Sequence, residues 1–93
     1  MTIIPDSIKN RLIVLEDIAK ERIRQEELHP EDLDLLMQLV VLNEEVGELS
    51  QALQAHYKLP GSKRSDKSDL YEEAIHVSAS AARFAEKVLN NEN

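Results

Sequence analysis

Apolar residues recur at the three- and four-residue spacing of an α-helix in three segments of the chain. In residues 6–27 one face carries Ile8, Leu12, Leu15, Ile18 and Ile23. In residues 31–58 the stripe consists of Leu35, Leu39, Leu42, Val46, Leu49 and Leu53. In residues 68–89 it consists of Leu70, Ala74, Val77, Ala81, Phe84 and Val88. No segment alternates for long with the period of two that marks a strand, so the pattern predicts an all-α fold with three main helices.

Proline, glycine and serine residues predict where these helices begin and end. The first helix ends before Pro30, because the residue that precedes a proline is disfavoured in the helical region. Pro30 is then expected in the first turn of the second helix, whose positive end suits Glu31, Asp32 and Asp34. Pro60 and Gly61 end that helix. Ser65 or Ser68 is expected to cap the third helix.

The length of the chain predicts one small domain, residues 1–93. Hydrophobic residues make up 42% and charged residues 31%, which is the composition of a globular protein rather than a disordered one. A domain of this size buries only a modest fraction of its surface. We therefore expect a helical bundle that is completed by oligomerisation.

Charge and cysteine content narrow the functional classes. The net charge of −7 disfavours nucleic acid and anionic membrane surfaces as partners. The chain has no cysteine, which excludes disulfide and thiol chemistry and fits a cytoplasmic protein. The N-terminal sequence lacks the features of a signal peptide. No run approaches the ~20 apolar residues of a membrane-spanning helix.

Two short pairs of potential metal ligands stand beside the apolar stripes. Glu45 and Glu48 are about one turn apart on the second helix, on a side that they share with Met37, Val41 and Ala52. Glu73 and His76 have the same spacing at the margin of the third helix's stripe. A carboxylate near apolar surroundings is costly unless it is compensated, and a divalent cation such as Mg²⁺ would compensate it. Antiparallel packing of the two helices would bring the pairs face to face.

The glutamate pairs and the basic residues also have a simpler interpretation than a metal and substrate site. A single pair of glutamates at this spacing is most often a solvated charge pair, and only the presence of two pairs on adjacent helices strengthens the metal hypothesis. The basic residues of the loop, Lys63, Arg64 and Lys67, are most often simply solvated. Arg22, Arg24 and Gln25 are most often the exposed end of the first helix.

The segments EEVGELSQAL (44–53) and YEEAIHVSASAARFAEKV (71–88) resemble the MazG-like branch of the all-α nucleoside triphosphate pyrophosphohydrolases, a superfamily that includes the dimeric dUTPases. Its signature is E-x-x-E, roughly two dozen residues, and then E-x-x-D. Glu45 and Glu48 match the first pair, and Glu73 matches the start of the second. The resemblance covers about residues 35–88.

The resemblance implies a homodimer, or a dimer of dimers, that uses Mg²⁺ to cleave a nucleoside triphosphate to the monophosphate and pyrophosphate. It implies that Glu45, Glu48 and Glu73 bind the metal. Glu44 and Glu45 are the candidate catalytic carboxylates, with Glu44 supporting the metal ligands or orienting the attacking water. The candidate substrate-binding residues match no family motif and are Arg22, Gln25, Lys58, Lys63 and Arg64.

The sequence departs from the family signature at His76, which stands where the signature has aspartate. Imidazole is a poorer ligand for Mg²⁺ than a carboxylate and a better one for Mn²⁺. We therefore expect His76 to be a metal ligand that shifts the preference toward Mn²⁺ and weakens the case for catalysis.

Two other functions stay open. Glu-x-x-His is a ligand pattern of di-iron helical bundles, so a redox or storage metal site is one alternative. The other is a catalytically silent helical dimer that serves as an interaction module.

Overall fold

A computed structural model of the chain describes residues 3–61 and 69–91, the side chain of Asn91 excepted. Three α-helices account for most of this part of the chain: α1 (Asp6–Leu28), α2 (Leu35–His56) and α3 (Leu70–Asn91). None of the described residues forms a strand. The predicted all-α class is therefore confirmed. None of the three helices combines the length and apolar character that crossing a membrane requires.

Helix α3 is the central element of the bundle. It packs against α1 and against α2, whereas α1 and α2 do not pack on each other within the described residues. Lys87 of α3 contacts Asp32, just before α2, while Glu73 lies near Glu45 further along α2. Helices α2 and α3 are therefore antiparallel, as the short connection predicts.

Side chains also join α1 to α3. The hydroxyl of Tyr71 donates to Asp17 at 2.6 Å, and Arg22 binds Glu86 further along both helices. Because the paired positions advance together, α1 and α3 run in the same direction. The position of α1 therefore depends on polar contacts as well as on packing.

Helix α2 begins four residues later than the sequence predicts. Its cap is Asp34, whose side chain accepts a hydrogen bond from the Met37 N–H at 2.8 Å. Pro30 consequently lies in a linker, residues 29–34, rather than in the first turn of the helix. An aspartate that can accept from the helix's free N–H groups is a strong start signal, and here it prevails over the proline signal.

Helix α2 also ends earlier than predicted, at His56. Lys58 takes a positive φ of 53°, and its N–H donates to the Ala55 carbonyl. The Leu59 N–H donates to the Gln54 carbonyl at 3.0 Å. These two bonds form a Schellman motif, which terminates the helix before Pro60 can do so.

The start of α3 is capped by an aspartate rather than by a serine. Asp69 accepts hydrogen bonds from the N–H groups of Tyr71 and Glu72 at 2.9 and 3.3 Å. The two serines that the sequence favours, Ser65 and Ser68, lie outside the described residues. A carboxylate caps as effectively as a hydroxyl and also suits the positive end of the helix.

The buried core of the single chain is small. Among the described apolar residues only Ala52, Ile75 and Ala79 are buried, and no large side chain is fully enclosed. The predicted stripe of α2 is largely open, since Leu39, Val46 and Leu53 are exposed. The side of α2 that carries Glu45 faces α3 instead, which brings the polar pairs inside the bundle.

A candidate metal centre at the mouth of a cavity

Three potential metal ligands from α2 and α3 meet in one place. Glu45 lies on α2, and Glu73 and His76 lie one turn apart on α3. Each offers a ligand atom, and these three atoms lie within 4.8 Å of one another. The group forms because α2 turns its Glu45 side toward the Glu73 edge of α3.

The distances within this group suit a shared cation. His76 Nδ1 lies 3.8 Å from Glu73 Oε2 and 3.9 Å from Glu45 Oε2. These separations are too long for hydrogen bonds. A cation that holds its ligands at about 2 Å would set opposite ligand atoms about 4 Å apart. One divalent ion between these atoms is therefore geometrically reasonable.

Burial makes the Glu45 carboxylate costly on its own. Its Oε2 atom is buried and accepts no hydrogen bond from the residues that the structure describes. Burial raises the pKa of the Glu45 carboxyl, and the nearby Glu48 and Glu73 carboxylates raise it further, although His76 opposes them. A bound cation would remove this penalty, so the donor set fits a hard divalent metal.

Helix α1 supplies two charged residues that the sequence analysis did not single out for the site. Glu21 is largely buried, and its Oε2 atom lies 3.9 Å from His76 Nε2. The same oxygen accepts a hydrogen bond from Arg24 Nη1 at 2.8 Å. Glu21, Arg24 and Gln25 have the i, i+3, i+4 spacing of one helix face. That spacing was the available signal, and it would have selected Arg24 instead of Arg22.

The acidic group opens into a cavity of about 410 Å³. This volume is within the usual range for sites that hold small molecules. All three helices and the linker contribute to its wall, with lining residues that include Arg24, Gln38, Glu45, Glu48, His76 and Arg83. The cavity therefore combines carboxylates at one end with arginine side chains that could face an anionic ligand.

The predicted site residues do not all reach this cavity. Glu48 and Gln25 line it, although Glu48 does not join the three-residue ligand group. Glu44 is exposed on α2 and does not line the cavity. Lys58 is exposed beyond the end of α2 and does not line it either. The predicted loop residues Lys63 and Arg64 lie outside the described residues.

Arg22 is buried and occupied elsewhere. Its Nε and Nη2 atoms donate to the two carboxylate oxygens of Glu86 at 2.9 and 2.7 Å. It also donates to Gln25 and Glu26 on its own helix. Arg22 therefore joins α1 to α3 and does not line the cavity.

The linker 29–34 is held against the helices by three side chains. Gln38 Nε2 donates to the Leu33 carbonyl at 3.1 Å. Arg83 Nη2 donates to the Glu31 carbonyl at 2.7 Å, and Lys87 pairs with Asp32 at 2.7 Å. The linker thus forms a fixed wall of the cavity opposite its acidic end.

Comparisons with protein-family models, curated proteins and solved structures gave no significant match to this chain.

Proposed function

We propose that the protein is a divalent-metal-dependent nucleoside triphosphate pyrophosphohydrolase. The observation that carries this proposal is the convergence of Glu45, Glu73 and His76 beside a cavity of about 410 Å³, which Glu45 and His76 line. The resemblance to the MazG-like proteins supplies the reaction class. A metal site that opens into a polar cavity of this volume has room for a nucleotide.

In this proposal Glu45, Glu73 and His76 hold the cation. A cation held by these residues would neutralise the phosphate chain and lower the pKa of the attacking water. Arg24 and Arg83 line the same cavity and offer guanidinium groups to the remaining phosphate charge. These groups explain how a chain with a net charge of −7 could bind a polyanion.

The reaction needs a group that accepts a proton from water. The water oxygen bonds to the α-phosphorus, and the bond from that phosphorus to the bridging oxygen breaks, which releases pyrophosphate. Glu48 lines the cavity one turn beyond Glu45 and lies outside the ligand group. We assign it the proton-accepting role, in preference to the exposed Glu44.

The decisive experiment measures pyrophosphate release from a panel of nucleoside triphosphates, with Mg²⁺ and with Mn²⁺. We expect Glu73→Gln to lower the rate by at least about 100-fold, because a direct ligand should matter no less than the groups that support ligands. Glu72→Gln is the matched control on the adjacent exposed residue, and its rate should stay within a few-fold of the parent. His76→Asp should shift the preference toward Mg²⁺.

Two outcomes would contradict the proposal. One is that the parent protein cleaves no nucleotide with either metal. The other is that Glu73→Gln keeps the parent rate while circular dichroism shows an unchanged helix content. Failure to bind any divalent cation would favour the silent interaction module instead.

A redox or storage metal site is the second candidate. It is favoured by Glu21, whose carboxylate near His76 adds a fourth residue of the type that di-iron bundles use. Iron loading followed by optical spectroscopy separates this candidate from the first. An iron-dependent absorption band in a protein that cleaves no nucleotide would support it.

Self-association is part of the proposal. A compact chain of 10.6 kDa would expose about 5,500 Å², whereas this chain exposes 7229 Å². The excess is more than the ~800 Å² that one partner buries in a standard interface. Exposed apolar residues on α1 and α2 supply the surface, among them Ile8, Leu12, Leu15, Leu39, Val46 and Leu53. A homodimer or dimer of dimers would cover them.

A further inference from the structure

Gln38 is a buried side chain with one polar atom left unsatisfied. The residue is 5% exposed, and no donor in residues 3–61 or 69–91 bonds its buried Oε1 atom. The orientation of its amide is fixed, because Nε2 donates to the Leu33 carbonyl and an oxygen in that position would face another oxygen. An unsatisfied buried acceptor is costly, which suggests that a ligand supplies the missing donor.

Gln38 lies on the cavity side of α2, in line with the metal ligands. Gln38, Val41, Glu45 and Glu48 all line the cavity and follow the i, i+3, i+7, i+10 pattern of one helix face. Gln38 is seven residues before Glu45, which is about 10 Å along the helix axis. This separation is comparable to that between the phosphate chain and the base edge of one nucleotide.

Arg83 lines the cavity together with Gln38 and contributes donors. Its Nη2 group donates to the carbonyls of Glu31 and His29. Its Nε and Nη1 groups make no hydrogen bond with the described residues, although a guanidinium carries five N–H donors. The linker end of the cavity therefore offers an acceptor from Gln38 and donors from Arg83.

We propose that Gln38 reads the nucleobase, with Oε1 accepting a hydrogen bond from an exocyclic amino group. Arg83 donates to the neighbouring ring nitrogen or carbonyl oxygen. At the pyrimidine 4-position and the purine 6-position, this pattern favours cytosine over uracil and adenine over hypoxanthine, because cytosine and adenine carry an amino group beside a ring acceptor. Uracil and hypoxanthine carry an oxo group there, so two acceptors would face each other. The assignment rests on the proposed function, since it places the base of the substrate in the same cavity.

The first test compares substrates that differ at this one group. The parent's kcat/KM is measured for ATP against ITP and for CTP against UTP, with Mn²⁺ present. We expect the amino substrate of each pair to be favoured by at least about 10-fold, because a site with an unpaired polar group discriminates strongly against a ligand that cannot satisfy it. Equal values within both pairs would overturn the assignment.

The second test removes the acceptor. Gln38→Met has a similar length and no polar group, and we expect it to lower both ratios by at least about 5-fold, the part of the discrimination that Arg83 supplies being retained. Gln54→Met is the matched control, because Gln54 is an exposed glutamine of the same helix whose side chain donates to Ser50. The control should keep the parent ratios. Ratios that Gln38→Met leaves unchanged would overturn the assignment.

Equilibrium binding separates this inference from the proposed function. Calorimetric titration with AMP, IMP, CMP and UMP in the presence of Mn²⁺ requires no catalysis. Selective binding of the amino monophosphates by the parent, weakened in Gln38→Met, would support the base site even if no triphosphate is cleaved. Triphosphate cleavage without any base selectivity would overturn the base site and leave the pyrophosphohydrolase standing. Absence of both cleavage and selective binding would overturn the two together.

Discussion

At the scale of single residues, Glu45 is destabilising in the absence of a cation. Its buried oxygen has no hydrogen-bond donor in the described part of the chain, and burial together with neighbouring carboxylates raises the pKa of this carboxyl. A raised carboxyl pKa means that the folded state disfavours the charged form. The penalty is fully present above the folded-state pKa and disappears as the pH falls below the ordinary value of 4.5.

We therefore expect Glu45→Gln to raise the melting temperature of the metal-free protein at neutral pH by a few degrees. The same variant should lose the stabilisation that Mn²⁺ gives the parent, because a ligand is gone. Thermal unfolding followed by circular dichroism, with EDTA and then with Mn²⁺, measures both effects. Glu44→Gln, at the exposed neighbouring position, should behave as the parent. A lower melting temperature for metal-free Glu45→Gln would contradict this account.

Residue spacing predicted part of the site and missed another part. Glu45, Glu73 and His76 were found because each pair repeats at one helical turn beside an apolar stripe. Glu21 and Gln38 were missed, since their importance depends on how α1 and the linker lie against α3. Local spacing carries no information about such long-range contacts.

At the scale of the helices, the Arg22–Glu86 pair sets how α1 lies on α3. The guanidinium binds both oxygens of the carboxylate, and this hydrogen bonding lowers the pKa of Glu86. Arg22 is nearly buried, whereas the Glu86 side chain is half exposed. A two-pronged contact fixes the angle between the helices as well as their distance.

Glu86→Gln should destabilise the fold by about 1 kcal/mol, a charged hydrogen-bond loss that is discounted for the exposure of Glu86. Because the Glu86 pKa is lowered, the pair stabilises the protein above the ordinary pKa of 4.5, and this contribution is lost as the pH falls through the lower folded-state value. The difference in free energy of unfolding between parent and variant should therefore be smaller in acid than at neutral pH. Urea unfolding at pH 7 and at pH 3 measures it.

The matched control for this pair is Glu26→Gln, which removes the other carboxylate that Arg22 contacts. Glu26 is on α1 itself and more exposed than Glu86, so Glu26→Gln should lower the free energy of unfolding by less than Glu86→Gln. If the two variants lost the same free energy of unfolding, the Arg22–Glu86 contact between α1 and α3 would stabilise the fold no more than the Arg22–Glu26 contact within α1.

The ends of the helices could be predicted only where the sequence identifies the capping residue. The three helices follow from apolar periodicity, and their existence is confirmed. The start of α2 was predicted wrongly because Pro30 and Asp34 are competing start signals, and Asp34 forms the cap. The end of α2 was missed because Lys58 adopts a conformation that glycine usually supplies. A lysine at this position gives no sequence signal that its backbone adopts a positive φ.

At the scale of the whole molecule, the single chain is flat and has a small buried core. It measures 48 × 47 × 21 Å, and residues 3–16 are exposed throughout. A helical segment without tertiary support is marginal in water. The apolar stripe of α1 was predictable from its spacing, but the sequence does not show whether the same chain or another one covers it.

If a second copy covers these faces, the unfolding midpoint should depend on protein concentration. We expect dilution from about 100 to 1 μM to lower the melting temperature, and analytical ultracentrifugation to give a mass at least twice that of the chain. Leu12→Lys should lower both the melting temperature and the measured mass, because it adds a charge to the exposed stripe. Asn10→Lys, two residues away and polar already, is the control. A monomer with a concentration-independent midpoint would contradict self-association.

Helix α3 carries two of the three metal ligands, Glu73 and His76, near one end of the cavity and the linker contacts at the other. His76 and Arg83 are seven residues apart, which is close to two full turns. Each residue inserted or deleted between them would rotate one end against the other by about 100°. The cation ligands and the linker contacts could then no longer face the same cavity. Between these two positions, α3 should tolerate exchange of the exposed Ala81 side chain but no change in length.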